Sequence, residues 1–183
     1  MVLRGGSQRL EVLLVKRNPE ARFMGGAWVF PGGAVDGREG RGDRALRAAA
    51  MRELMEEAGI ALETPGQLIP FSRWITPAQV KIRFDAVFYL AWLPQGATAK
   101  VDGREVVDAR WYGPREALQS ASNGELFLVF PTIKHLEQLS GFASAKEVME
   151  HARGREVRPV QPRVLMSGET ARIVLPGEPG YED

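Results

Sequence analysis

The chain has 183 residues, enough to bury a core and too few for two ordinary domains, so a single domain over 1–183 is expected. Its 24 basic and 23 acidic residues leave a net charge of +1, which supplies no global attraction to nucleic acid or to a membrane surface, so any recognition of anions has to be local. The absence of cysteine excludes disulfides, thiol nucleophiles and zinc–thiolate centres, and fits a reducing, cytoplasmic setting.

The first fourteen residues are broken by Gly5, Gly6, Gln8, Arg9 and Glu11 and read as neither a signal peptide nor a membrane span. A hairpin is expected instead, from near Val2 through the Gly5-Gly6-Ser7 turn to a strand over Leu10–Lys16. Ala27–Phe30 forms a short strand that Pro31-Gly32-Gly33 ends, and a loop follows from Ala34 to Gly42. Asp43 is placed to cap a helix running to Ala58, with Gly59 where a left-handed terminal residue belongs. Further strands are expected over Leu68–Ile75, Lys81–Leu93 and Val106–Tyr112, the second of them central because its far half is apolar on both faces. Helices follow from Pro114 to Ala121, from Pro131 toward Leu139, and from the Ser144 and Glu147 capping pattern to Gly154. From about residue 157 the tail is proline-rich and extended, with Arg172–Leu175 as an edge strand. Strands interspersed with a few helices give an α/β chain built on one sheet system.

The chemistry concentrates in Arg52-Glu53-Leu54-Met55-Glu56-Glu57-Ala58-Gly59-Ile60. Offsets of three and four residues put Glu53, Glu56 and Glu57 on one helix face, where like charges repel by a few tenths of a kcal/mol per pair, roughly, on an isolated helix. A solvated acidic stripe would carry such a pattern with no further role. A divalent cation would instead offset the repulsion, and oxygen donors without His or Cys suit Mg²⁺ or Mn²⁺. The upstream Pro31-Gly32-Gly33 turn tips the balance toward the cation, because a glycine pair lets the backbone approach a metal or a phosphate closely.

Together these segments resemble the Nudix box, whose closing pattern of arginine, glutamate, an apolar residue, any residue, two glutamates, any residue, glycine and an apolar residue is matched from Arg52 to Ile60. The resemblance extends over roughly Leu10–Ala121 and implies an α/β/α sandwich with a mixed sheet between helices. It implies hydrolysis of a nucleoside diphosphate linked to another moiety. By position, Glu53, Glu56, Glu57 and the Gly33 carbonyl would be metal ligands, and Arg52 would orient Glu53. Family members often dimerise, so a homodimer is expected from the resemblance, with no interface legible in the residues. The pattern departs at Arg38 and Arg44, which stand where the family has glycine and glutamate. Eighteen residues lie between Gly33 and Arg52, a longer spacing than the family's, which points to an insertion within Asp36–Gly42. Asp43 and Glu39 are both candidates to replace the missing glutamate.

Upstream of the box, Leu13-Leu14, Arg17-Asn18, Arg22, Gly26 and Phe30-Pro31-Gly32-Gly33 are similar to the accessory motif of coenzyme A diphosphatases, with Trp28 as a departure. The stretched loop brings the likeness closer to the acyl-coenzyme A diphosphatase branch, which makes coenzyme A the leading substrate. ADP-ribose remains open because Trp74-Ile75-Thr76-Pro77 could frame it, as do other nucleotide sugars and dinucleotides. A noncatalytic nucleotide-binding module is the alternative of a different class. Arg17 and Arg22 could grip phosphate oxygens or merely lay their stems over apolar sheet. Trp28, Phe23 and Phe84 could stack a base or fill the core. His135 and His151 read as structural or surface residues. The expected chemistry is in-line attack by water on one phosphorus, with Mg²⁺ or Mn²⁺ at the glutamates. The base is either Glu53 or Glu105, and Glu105 reads equally as a solvent-facing turn residue.

Overall fold

The computed structural model describes residues 1–80, 83–167 and 170–181, with the side chains of 167 and 170 left aside. The chain forms two compact units, one of Met1–Ile69 with Leu90–Arg153 and one of Pro70–Tyr89 with Gly154–Asp183. No helix among the described residues is long and apolar enough to cross a membrane.

In the first unit β1 (Val2–Arg4) turns back antiparallel onto β2 (Glu11–Arg17), with Leu3 opposite Val12. β2 pairs antiparallel with β3 (Trp28–Val29) and with β6 (Val106–Tyr112), and a register shift falls between Lys16 and Arg17. β1 runs parallel to the last residues of β5 (Asp85–Trp92), so the sheet is mixed, as expected. Val12, Leu13, Leu14 and Val15 are all fully buried, which marks β2 as a strand covered on both faces rather than an alternating edge. The expected Lys81–Leu93 strand is described from Asp85 onward; Lys81 and Ile82 lie outside the described residues.

Helix α1 (Gly42–Ala58) buries Ala45, Ala49, Leu54 and Ala58 in the first unit. Its start corrects the expected cap. Arg41 occupies the N-cap position without a side-chain bond, and Asp43 sits inside the first turn, where it accepts from Arg47 Nε at 2.6 Å. The same guanidinium donates to the Pro65 and Leu68 carbonyls at 2.9 and 2.6 Å, so Asp43 serves a tether between α1 and the segment after it. The C-terminus follows the expectation. Gly59 is left-handed (φ 64°, ψ 19°), and its N–H reaches the Leu54 and Met55 carbonyls. Helices α2 (Pro114–Ser122), α3 (Phe130–Leu139) and α4 (Ala145–Ala152) complete this unit, and Ser144 accepts from Glu147 N at 3.2 Å at the α4 cap.

In the second unit β4 (Ile69–Ile75) enters from the first, neighbours the beginning of β5, and pairs parallel with β7 (Pro159–Val160). The tail is more ordered than an extended segment with one edge strand. β8 (Arg163–Ser167) and β9 (Thr170–Val174) form a separate antiparallel pair in which Val164 faces Ile173.

At Gly59 an added Cβ would meet the Lys100 carbonyl oxygen at 3.1 Å as well as the left-handed backbone. Gly59→Ala is expected to cost about 1–2 kcal/mol, read as a lower urea midpoint with an unchanged slope. An unaltered midpoint would contradict this account of how α1 ends.

Candidate functional site

The α1 glutamates do not share one environment. Glu57 is 5% exposed, and its Oε2 accepts from Gly32 N at 2.8 Å, so the turn after β3 lies directly on this face of the helix. The next residue, Gly33, lies against Glu53. A Cβ on Gly33 would fall on the carboxylate of Glu53, so a side chain there would have to push that acid out of its place. Glu53 Oε1 accepts from Arg52 Nη1 at 2.7 Å, and Glu56 Oε2 accepts from the same nitrogen at 3.0 Å.

Arg52 is the hub of the cluster. Besides Glu53 and Glu56, its Nε donates to Glu39 Oε1 at 2.9 Å and its Nη2 to the Ala34 carbonyl at 2.9 Å. Glu39 first, and Glu53 second, hold the guanidinium well above its ordinary pKa, while the Arg52 bond holds Glu39 below the usual carboxylate range. Of the two acids that could stand in for the missing glutamate, Glu39 is therefore the one brought to Arg52, and Asp43 is committed to Arg47.

Burial pushes the Glu57 carboxyl up to about 7, against the opposing Gly32 hydrogen bond; Glu53 and Glu105 add to the rise and Arg17 counters it. These charges define the neighbourhood of Glu57, and two of them come from outside the helix. Arg17 ends β2 and donates to the Phe23 carbonyl at 3.3 Å, which ties it to the loop where Arg22 stands exposed. Glu105 sits on a turn built by Asp102, whose carboxylate accepts from Arg104, Glu105 and Val106 N at 3.0–3.1 Å. Asn18 clips this turn to the end of β2: its N–H donates to the Glu105 carbonyl at 2.9 Å and its amide to the Arg104 carbonyl at 2.7 Å. The sequence motifs include Asn18 without this role and do not include Asp102. The Asp102-Gly103 pair was a turn signal available in the sequence.

The aromatic candidates fare differently. Trp28 is 4% exposed and packs edge-on against Tyr112 with Arg110 over its ring, a core position that offers no face to a base. Phe84 is exposed in the second unit beside Thr76, whereas the site described here draws on the first unit alone. His135 is buried, with Nδ1 2.6 Å from the Pro131 carbonyl oxygen, and burial lowers its pKa to about 4, so it is neutral near pH 7, as befits a structural residue.

Among the described residues no three acidic or imidazole groups are already gathered as a cation cage. What the site does offer is hard oxygen donors on Glu53 and Glu57, plus a backbone cradle at Gly33 that a side chain would fill. That donor chemistry fits a Mg²⁺-like ion and suits a soft metal poorly.

The NUDIX domain model matches residues 1–130 of this chain. Putative nudix hydrolase 7 of Caenorhabditis elegans is 28% identical over 163 residues, a match covering 70% of this chain and 55% of that protein, so the chain spans little more than half of that relative. The acyl-coenzyme A diphosphatase of Homo sapiens is 24% identical, covering 96% of this chain and 73% of that protein. Among solved structures, a Nudix hydrolase from Alicyclobacillus acidocaldarius superposes with a TM-score of 0.71 at 27% identity, over 81% of this chain and 92% of that one. A C. elegans Ap4A hydrolase shares the fold with a TM-score of 0.55 at 22% identity, over 77% of this chain and 91% of that one.

Glu57 also sets a pH dependence for the metal-free protein. Its native pKa of about 7 stands above the ordinary 4.5, so the native state binds this proton more tightly than the unfolded state. The resulting penalty is absent below pH 4.5, grows between 4.5 and 7, and is complete above 7. Glu57→Gln can still accept from Gly32 and carries no charge. In EDTA, its stability relative to wild type is expected to rise by on the order of 2–3 kcal/mol between pH 4.5 and pH 8, measured by urea unfolding. A difference that does not change with pH would contradict the assigned burial.

Proposed function

Because the chain belongs to the Nudix hydrolase family, we propose that it hydrolyses the diphosphate of coenzyme A or an acyl-coenzyme A in the presence of Mg²⁺ or Mn²⁺. Water adds to one phosphorus, the bridging P–O bond breaks, and the products are 3′,5′-ADP and phosphopantetheine or its acyl form. The observation that carries the reading is the seating of the Glu53 and Glu57 face of α1 against the Gly32-Gly33 turn. Coenzyme A is favoured as substrate by the likeness to the human acyl-coenzyme A diphosphatase over 96% of the chain.

Glu53, Glu56, Glu57 and the Gly33 carbonyl are the groups that would hold the cation. When bound, the ion neutralises charge on the diphosphate and lowers the pKa of water. Arg52 keeps Glu53 and Glu56 oriented through charge-assisted bonds. Arg17, close enough to Glu57 to lower its pKa, offers a fork to phosphate oxygens, and Arg22 extends the positive charge along the same loop. Two carboxylates can accept the proton of the attacking water: Glu53 on the helix, and Glu105 on the Asp102 turn.

A panel of coenzyme A, an acyl-coenzyme A, ADP-ribose, NADH and diadenosine tetraphosphate, each with Mg²⁺ or Mn²⁺, tests the substrate. The highest kcat/KM is expected on the coenzyme A compounds, with 3′,5′-ADP identified by mass spectrometry. Intact coenzyme A beside a cleaved competitor would overturn the substrate, and binding without any product would favour a nucleotide-binding module.

Glu57→Gln is expected to lower kcat by roughly a hundredfold or more while the fold is retained. Near-normal turnover would remove Glu57 from the ligand set. Glu105→Gln separates the two bases: a comparable loss assigns the proton to Glu105, and near-normal turnover leaves it with Glu53.

A further inference from the structure

We propose that Glu39, carried on the loop ahead of α1, is a positioning residue that anchors one side of the Arg52 guanidinium so that the other side holds Glu53 and Glu56 in place. The inference rests on the hydrolase reading above for its effect on turnover, and on geometry alone for the contact.

Arg52 is used from both sides. Its Nη1 faces the two helix carboxylates at 2.7 and 3.0 Å. Its Nε and Nη2 face the loop, where Glu39 Oε1 and the Ala34 carbonyl oxygen each lie at 2.9 Å. A planar guanidinium gripped on two edges cannot turn about its own stem without breaking bonds on the other edge. Without the loop contacts, Arg52 would be an ordinary i, i+4 partner of Glu56, free to swing into solvent.

Glu39 is itself held for this task. The backbone turns at Gly37–Glu39, with Glu39 N donating to the Asp36 carbonyl at 2.9 Å. Asp36 N donates to Glu39 Oε2 at 2.6 Å, and Asp36 Oδ1 accepts from Arg38 N at 2.8 Å. Glu39 Oε2 is thus fixed on the loop backbone, with Arg52 Nη2 a further donor to it at 3.5 Å, while Oε1 meets Arg52 Nε. The neighbouring Arg38 side chain is 92% exposed, whereas those of Glu39 and Glu53 are both 13% exposed. An acid turned inward from an otherwise exposed loop, and as sheltered as the helix carboxylate it supports, is a placed group.

The test uses the full chain with coenzyme A and Mg²⁺. Glu39→Gln keeps an acceptor for Asp36 N and removes the negative charge that faces Arg52. It is expected to lower kcat by about tenfold, with KM within about twofold of wild type. Arg52→Lys is expected to lower kcat as well, and the double variant should be no worse than Arg52→Lys alone, because Glu39 acts through that side chain. Asp36→Ala, which frees the turn and leaves the Glu39 charge, should give a smaller loss in the same sense. A readout independent of turnover is the Arg52 Nε–H resonance in metal-free protein, protected from solvent exchange in wild type and exposed in Glu39→Gln. Unchanged kcat in Glu39→Gln, additive losses in the double variant, or an unaltered Arg52 resonance would each overturn the assignment. Should wild type cleave no compound in the panel, the hydrolase reading fails, while the resonance still decides whether Glu39 anchors Arg52.

Discussion

Like charges on one face of α1 are the constraint around which the rest of the site is arranged. Glu53, Glu56 and Glu57 stand three and four residues apart on a single helix, and each offset brings carboxylates within range of mutual repulsion. The protein answers it in two ways. Glu53 and Glu56 are compensated by one guanidinium, which in turn is shared with Glu39. Glu57 is buried with a hydrogen bond from Gly32 N and the charge of Arg17 nearby, and burial outweighs both and carries its pKa up to about 7. A fully compensated trio would be a stable surface feature with little appetite for a cation. A buried acid held against its ionisation beside a second carboxylate is the environment in which added positive charge gains most.

The backbone has to cooperate with this arrangement, and β3 explains how. The strand is two residues long, pinned at Trp28 by Lys16 on one side and by the Phe127 carbonyl on the other. Its brevity brings the chain quickly to Pro31-Gly32-Gly33, which crosses the helix face where Glu53 and Glu57 emerge. The burial of Trp28 belongs to this logic: the ring anchors the strand from which the turn departs. The ring is buried against Tyr112 with Arg110 over it, so its contribution to the site is mechanical and not recognition of a base.

What could be read from sequence was what repeats locally. The helix over α1 and its left-handed end at Gly59 follow from propensity and one glycine, and β2 and β6 follow from short runs of apolar and β-branched residues. Features that depend on distant partners were not legible. Asp43 looks like a cap because it precedes good helix formers, yet it lies inside the first turn and pairs with Arg47, which is itself held by the Pro65 and Leu68 carbonyls farther along the chain. β8 has no alternation to mark it, because Val164, Leu165 and Met166 form only a short apolar run just after Pro159 and Pro162, and it is the pairing with β9 that makes it a strand. The family motif named the glutamates but could not say which acid would face Arg52, because that depends on the course of a loop and not on spacing.

That loop bears on how an irregular box can remain a working arrangement. Lengthening a surface loop costs little closure entropy, since the penalty grows only with the logarithm of its length. Here the loop is not slack. A capped turn at Asp36–Glu39 stiffens the middle of the loop, and its last acid spans thirteen residues of sequence to reach Arg52. The outer edge of the Arg52 guanidinium is met by Glu39 and the Ala34 carbonyl, both supplied by this loop. Arg44 stands on α1 and Glu39 on the turn ahead of it, so in this chain the carboxylate that meets the outer edge of the Arg52 guanidinium comes from the loop and not from the helix.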